Sequence, residues 1–401
     1  MSAPSERQWS LAALLAALAM LGPFSVDTYL PAFHDIGNEF AVPQLAVQQT
    51  LSTYLFAYAF MMLWQGALAD SLGRRPVVLA GLGVYAMATL GCAIAGNIQT
   101  LWLFRALQGL SAGTGVVVGR AIIRDRFHGA EAQRLMAQVT MVFGIAPAVA
   151  PVLGGVLLNT FGWRSIFWVL LALVIGLWIW SHRQLPETLP VHDRRSLAPR
   201  ELWRSYTAVM RHRDFLLLAT IPALNFAAFF LYIASAPTFL VDRLGVSSYG
   251  FAWLFIPMIA GVMIGAAISG RVAGRLSPLH TVRLGYTMMF AGAAFDLSVA
   301  WFVAPGVPWH VLPIMLYTMG SSVVMPTAML LLLDLFPTMR GLASSLQSFI
   351  HFGLAAINAG SIAPFLAQSL KAMALGMTGF TIASVVLWLT YLRRTARRHA
   401  G

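Results

Sequence analysis

RQLPETLPVHDRRSLAPRELWRSYTAVMRHR, residues 183–213, is the one long polar segment in a chain of 401 residues. It carries seven arginines, Glu187, Asp193, Glu201 and three prolines. Six apolar stretches precede it, near 9–31, 47–69, 77–96, 100–121, 136–158 and 164–182. Six follow it, near 214–236, 249–270, 281–302, 309–333, 342–364 and 370–392. At 1.5 Å per residue, stretches of about 20 residues cross the roughly 30 Å of a bilayer's hydrocarbon. Composition agrees, with 59% hydrophobic residues, 10% charged and a mean hydropathy of +0.75. Soluble chains carry about 25% charged residues. The reading is an all-α polytopic membrane protein of 12 spans. Its halves are 1–182 and 214–401, joined by the polar loop 183–213 and closed by a short basic tail.

The net charge of +12 would suggest nucleic acid in a soluble chain, but here the basic residues sit in short connections between apolar runs. With the N-terminus placed inside, 22 of the 26 Lys and Arg residues fall on that side, among them Arg7, Arg134, Arg397 and Arg398. Only Arg164, Arg243 and Lys371 fall outside, and Arg105 lies within a span. That asymmetry predicts both termini in the cytoplasm. Lys371 is the sole lysine, and the arginine and alanine bias reads as a GC-rich bacterial genome, hence the bacterial inner membrane. Cys92 is the sole cysteine, which excludes an intramolecular disulfide and a cysteine-based metal site. The first apolar run is longer than a signal peptide's core, so it reads as an uncleaved span.

Charges at membrane depth are costly, about 2.5–3.5 kcal/mol even on insertion scales, and so are functional candidates. Asp27 lies in PFSVDTYLP of span one, in the outer part of the hydrocarbon. It reads as a proton or substrate group, or as a carboxylate wetted at the outer end. Arg105, in LWLFRALQGLSAG of span four, lies at a similar depth and reads as its ion-pair partner or as an arginine snorkelling outward. Asp296 and His351 are weaker candidates for a second titrating group.

GALADSLGRR (66–75) places Gly66, Asp70, Gly73, Arg74 and Arg75 in a tight connection, with ISGRVAGR (268–275) as its faint repeat. Asp70 is suited to a helix N-terminus, and the arginines to carboxylates or lipid phosphates. Span five, MVFGIAPAVAPVLGGVL, carries Pro147, Pro151, Gly154 and Gly155, which suit a hinge, close packing or both. Helical spacing aligns Tyr54, Tyr58, Met61 and Gln65 on span two, and Asn225, Phe229 and Tyr232 on span seven. These faces, with Gln108 and Trp253, are candidate walls of a substrate pocket or plain packing. GLSAG (109–113) fits a hydrolase elbow around Ser111, but also G-x-x-x-G, as do 115–119 and 261–265. In a continuous apolar helix pattern the packing reading prevails.

Together, VDTYLPAF, GALADSLGRRPV, RALQGLSAG, RAIIRDRF and PAVAPVLGG resemble the 12-span drug:proton antiporters of the major facilitator superfamily, specifically the bicyclomycin/chloramphenicol-resistance subfamily. The resemblance implies two six-helix halves rocking about a central cavity and exporting amphipathic drug-like compounds in exchange for protons. It implies proton coupling at Asp27 and Arg105, a cytoplasmic gate at Asp70, Gly73, Arg74 and Arg75, and an antiporter motif at Pro151, Gly154 and Gly155. Ser71 stands where a basic residue is usual, Ala150 replaces the motif's first glycine, and the second gate has Arg271 in place of its acid. A transporter of a single metabolite is the nearest rival. The expected partners are a small molecule, protons and membrane lipids. No nucleic acid, metal or organic cofactor is expected, and the chain is expected to be a monomer and not an enzyme.

Overall fold

The computed structural model describes residues 6–127, 129–194, 196–337 and 339–400. Residue Arg195 and the side chains of Arg7, Arg134, Arg397 and Arg398, counted above for orientation, lie outside the described residues. Every regular element among those residues is a helix. The chain divides into two compact units, Met1–Ala198 and Pro199–Gly401, and the division falls inside the polar segment 183–213.

The first unit comprises α1 (Glu6–Asp27), α2 (Phe33–Glu39), α3 (Gln44–Met62), α4 (Gln65–Leu72), α5 (Arg74–Ala93), α6 (Ile98–Ala112), α7 (Thr114–Arg126), α8 (Gly129–Phe161) and α9 (Arg164–Gln184). The stretch expected as one span over 9–31 breaks after Asp27 and resumes as far as Glu39. Pro31 supplies the reason. It has no N–H to give the carbonyl of Asp27 four residues earlier, and Tyr29 N instead reaches back three residues, to Val26 O at 3.3 Å.

The second unit comprises α10 (Pro199–Met210), α11 (Arg213–Ala234), α12 (Ala252–Val272), α13 (Pro278–Phe302), α14 (Leu312–Asp334), α15 (Arg340–Ile357), α16 (Ala363–Leu366) and α17 (Leu370–Ala400). The polar segment read as a loop thus contains a helix. α10 is amphipathic, with Tyr206 and Val209 buried against α11 and α15 while Trp203 is exposed. Burial pushes the Tyr206 phenol up to about 12. Ten helical stretches among the described residues are long and apolar enough to cross a membrane. α3 and α13 are not among them, because α3 carries Gln44, Gln48 and Gln49, and α13 carries His280, Arg283 and Asp296.

The two units repeat one pairing scheme. α1 packs along α8 as α11 does along α15, and α3 along α6 as α12 does along α14. α5 packs along α9 and α6, as α13 does along α17 and α14. The G-x-x-x-G motifs make these approaches possible. A Cβ on Gly109 would sit 2.1 Å from Tyr54 O of α3, and one on Gly261 would sit 2.2 Å from Met315 O of α14. Of the pair 115–119, only Gly115 is required, its Cβ falling 2.2 Å from Leu18 O, whereas Gly119 has room. Ser111 lies inside α6 with its hydroxyl on the Leu107 carbonyl at 3.1 Å, so the strand-to-helix elbow of a hydrolase is absent there.

Candidate functional site

Asp27 closes α1 at the helix break and is 5% exposed. Arg105, two turns into α6, is 0% exposed. The expected ion pair between them does not form, and among the described residues neither side chain is in a salt bridge. Helix geometry gives the reason. Positions two apart on a helix point to different faces, and it is Ser25 that meets Arg105, with Nη1 donating to Ser25 Oγ at 3.4 Å. Asp27, two positions on from Ser25, is off the face that meets α6.

Besides Ser25, Arg105 is held by two aromatic faces and one amide. Its guanidinium carbon lies 4.6 Å from the ring centroid of Tyr29 and 4.4 Å from that of Tyr54. Desolvated cation–π contacts of this kind are worth about 2 kcal/mol or more. Nη1 also donates to Gln108 Oε1 at 2.9 Å, and Gln108 Nε2 donates to Thr89 Oγ1 at 2.8 Å. Nε and Nη2 have no partner among the described residues. The cluster thus joins α1, α3, α5 and α6 around a cation with spare donors. Gln108, expected on a pocket wall, is 0% exposed and instead orients Arg105.

A second charged cluster forms around 66–75. Arg74 is buried, and donates from Nη1 to Asp70 at 2.5 Å and from Nε to Asp125 of α7 at 3.2 Å. Glu187 of the polar segment accepts the backbone N–H groups of Arg74 at 3.0 Å and Arg75 at 3.3 Å, capping α5. Gly73 makes this possible with φ of +104°, and a Cβ there would meet Glu187 Oε2 at 2.4 Å. Arg75 Nη2 donates to His182 O at 2.8 Å, while Gly66 has open space around it. Of the two uses expected for these arginines, Arg74 takes the carboxylates.

In α8, Pro151, Gly154 and Gly155 are buried and Pro147 is half-buried. Gly154 packs on the turn after α1, where its Cβ would fall 2.1 Å from Thr28 O, so this glycine provides close packing. The expected substrate residues separate. Tyr54 and Tyr58 are buried, with rings 6.3 Å apart and the Tyr54 hydroxyl on Gly22 O. Gln65 is buried against Thr114 at 3.2 Å, and Met61 is half-buried. In the second unit Tyr232 donates its hydroxyl to Asp296, while Asn225 is buried beside the Tyr286 hydroxyl and Phe229 packs on Phe226. His351 lies against the ring of Phe226 at 4.3 Å. Trp253 is 48% exposed on α12 and belongs to no buried wall.

Sequence reasoning missed the carboxylates Asp125 and Glu187 as partners of Arg74, and Tyr29 as the second ring on Arg105. Tyr29 sits in VDTYLPAF and Asp125 in RAIIRDRF, so the signal was adjacency to residues already singled out. It also missed Glu39, whose carboxylate pairs with Arg164 and accepts from Trp163 Nε1 at 2.6 Å.

The chain is similar to the bicyclomycin resistance protein homolog of Haemophilus influenzae, at 27% identity over 385 residues, covering 93% of this chain and 94% of that one. It is 28% identical to multidrug resistance protein D of Escherichia coli over 397 residues, 98% of each. The chloramphenicol resistance protein of Pseudomonas aeruginosa is 28% identical over 394 residues, 96% of this chain and 92% of that one. Among solved structures, a bacterial homolog of the human lysosomal transporter Spinster superposes with a TM-score of 0.74 over 98% of each chain at 16% identity. The human organic anion transporter MFSD10 does so with a TM-score of 0.67 at 17% identity, over 96% of this chain and 100% of that one, a likeness of fold alone. Residues 14–360 match the model of the Major Facilitator Superfamily, and this chain, with its repeated scheme of helix pairing, belongs to that superfamily.

Proposed function

We propose that this chain exports amphipathic, drug-like compounds across the bacterial inner membrane, by alternating access, in exchange for protons. Both termini are cytoplasmic in this reading. Asp27 is the observation that carries it. A carboxylate in a span, nearly buried and outside any ion pair, is neutralised most cheaply by a proton. Arg105, caged on α6 with two donor nitrogens unpartnered among the described residues, is the buried cation available to a carboxylate once the helices rearrange. Each inward proton gains about 2.3 kcal/mol per 100 mV of membrane potential. Relatives named for resistance to bicyclomycin, chloramphenicol and multiple drugs support a drug-like substrate.

The test is drug-evoked proton release from the detergent-purified chain, wild type against Asp27→Asn, over a panel of antibiotics and dyes. Release from the wild type and none from the variant, with melting unchanged, is expected. Equal release from both would remove the role of Asp27. Binding without release by any compound would count against exchange for protons.

A further inference from the structure

Arg164, Arg243 and Lys371 are the three basic residues that the charge asymmetry places on the sparse side of the chain. Arg164 is neutralised by Glu39. Among the described residues, neither Arg243 nor Lys371 is in a salt bridge, yet the two share one cleft of the second unit, of about 350 Å³. Its remaining walls include Gln368 and Ser369, which lead into α17, and Ala300 and Val303 at the end of α13. No carboxylate lines it.

Arg243 is fixed there by its Nε, which donates to Ala367 O at 3.2 Å and leaves the guanidinium's terminal amines for another acceptor. Lys371 Nζ lies 5.3 Å over the ring of Trp301, a contact that restrains the ammonium without neutralising it. Exposed aromatic side chains surround this end of the unit, with Phe302 at 86%, Phe365 at 70% and Trp309 at 54% exposure. Of these, Trp309 is of the type that concentrates at the headgroup level of a bilayer, as is Trp301 under Lys371. The cleft therefore combines two uncompensated cations and neutral donors with apolar surface at its rim.

We infer that this cleft binds the phosphodiester of an anionic phospholipid, with Arg243 and Lys371 on the phosphate oxygens and the acyl chains running along the exposed aromatic surface. A soluble phosphate would share the cations but has no use for that surface. The inference is independent of proton coupling at Asp27.

Native mass spectrometry of the detergent-purified full chain tests it, with phosphatidylglycerol, phosphatidylcholine and inorganic phosphate as probes. Phosphatidylglycerol is expected to be retained over phosphatidylcholine, and the R243Q/K371Q double variant to bind it about thirtyfold more weakly, at roughly a charge's worth per residue. R164Q serves as the control and should bind as wild type. K371Q alone leaves the Arg243–Ala367 bond intact and should show a several-fold loss if the double variant folds poorly. Equal retention of phosphatidylglycerol by wild type and K371Q would overturn the site. Displacement of the lipid by low millimolar inorganic phosphate would overturn the lipid as its occupant.

Discussion

Replacing Gly109 by alanine puts a Cβ 2.1 Å from the carbonyl oxygen of Tyr54, where ordinary contact begins at 3.4 Å. Backbone cannot step aside as a flexible side chain does, so α3 and α6 must part by about 1.3 Å. Overpacking of this kind costs about 1–3 kcal/mol, partly offset by up to about 1 kcal/mol from alanine's better helix propensity. The net loss is up to about 2 kcal/mol, or up to about 8 °C of melting temperature on the scale of a 200-residue unit. Gly261→Ala meets Met315 O at 2.2 Å and should cost the same. Gly83→Ala, with nothing within 4 Å inside α5, should gain up to about 1 kcal/mol from the same propensity. The two damaging variants differ in what they disturb. The ring of Tyr54 forms one face of the cage around Arg105, so parting α3 from α6 loosens that cage, whereas parting α12 from α14 leaves it alone. Thermal melts in detergent, with drug-evoked proton release measured well below the transition, separate the effects. Gly109→Ala should lose most of its release and Gly261→Ala should keep it. If Gly109→Ala melted like Gly83→Ala, the close approach would be refuted. Equal loss of release in Gly109→Ala and Gly261→Ala would refute the coupling through Tyr54.

Arg74→Ala and Asp125→Asn should each destabilise the chain, and the double variant by less than their sum, because both break one contact. Asp125 is 24% exposed, which reduces the expected coupling to about 1 kcal/mol, and additive melts would show that the pair contributes nothing. His310, between α13 and α14, is buried and its imidazole is held below its usual pKa by that burial. The folded state therefore binds the proton less readily than the unfolded one. Stability is full above the unfolded pKa of about 6.5 and falls as pH drops through it. Melts at pH 7.5 and 5.5 should show a smaller acid loss in His310→Gln than in the wild type, and an equal loss would remove this histidine from the acid response.

Spans, their pairing into two halves, and the charged positions within them were legible because apolar runs, prolines and isolated charges are local signals. What the sequence withheld was azimuth and distance. Asp27 and Arg105 lie at similar depth, but depth does not say which way a side chain turns, and Ser25 rather than Asp27 faces α6. Asp125 and Glu187 meet Arg74 across 51 and 113 residues, a pairing that no local pattern encodes. Tyr54 and Trp253 look alike as aromatic pocket candidates, yet one closes on a cation and the other stands exposed. The comparison of the two units carries this further. Backbone devices repeat, with Gly73 at φ +104° and Gly274 at φ +74° closing matching turns, and glycines easing matching helix pairs. Charges do not repeat. Arg271 occupies the place of Asp70, and among the described residues no salt bridge involves Arg271 or Arg275. A duplicated scaffold thus has its ion-pair chemistry at this turn in the first unit alone. The second unit's ion pairs lie elsewhere, Arg340 with Asp334 between α14 and α15 and Arg394 of α17 with Asp214 at the start of α11, so the duplicated turn and the charge placement have diverged independently.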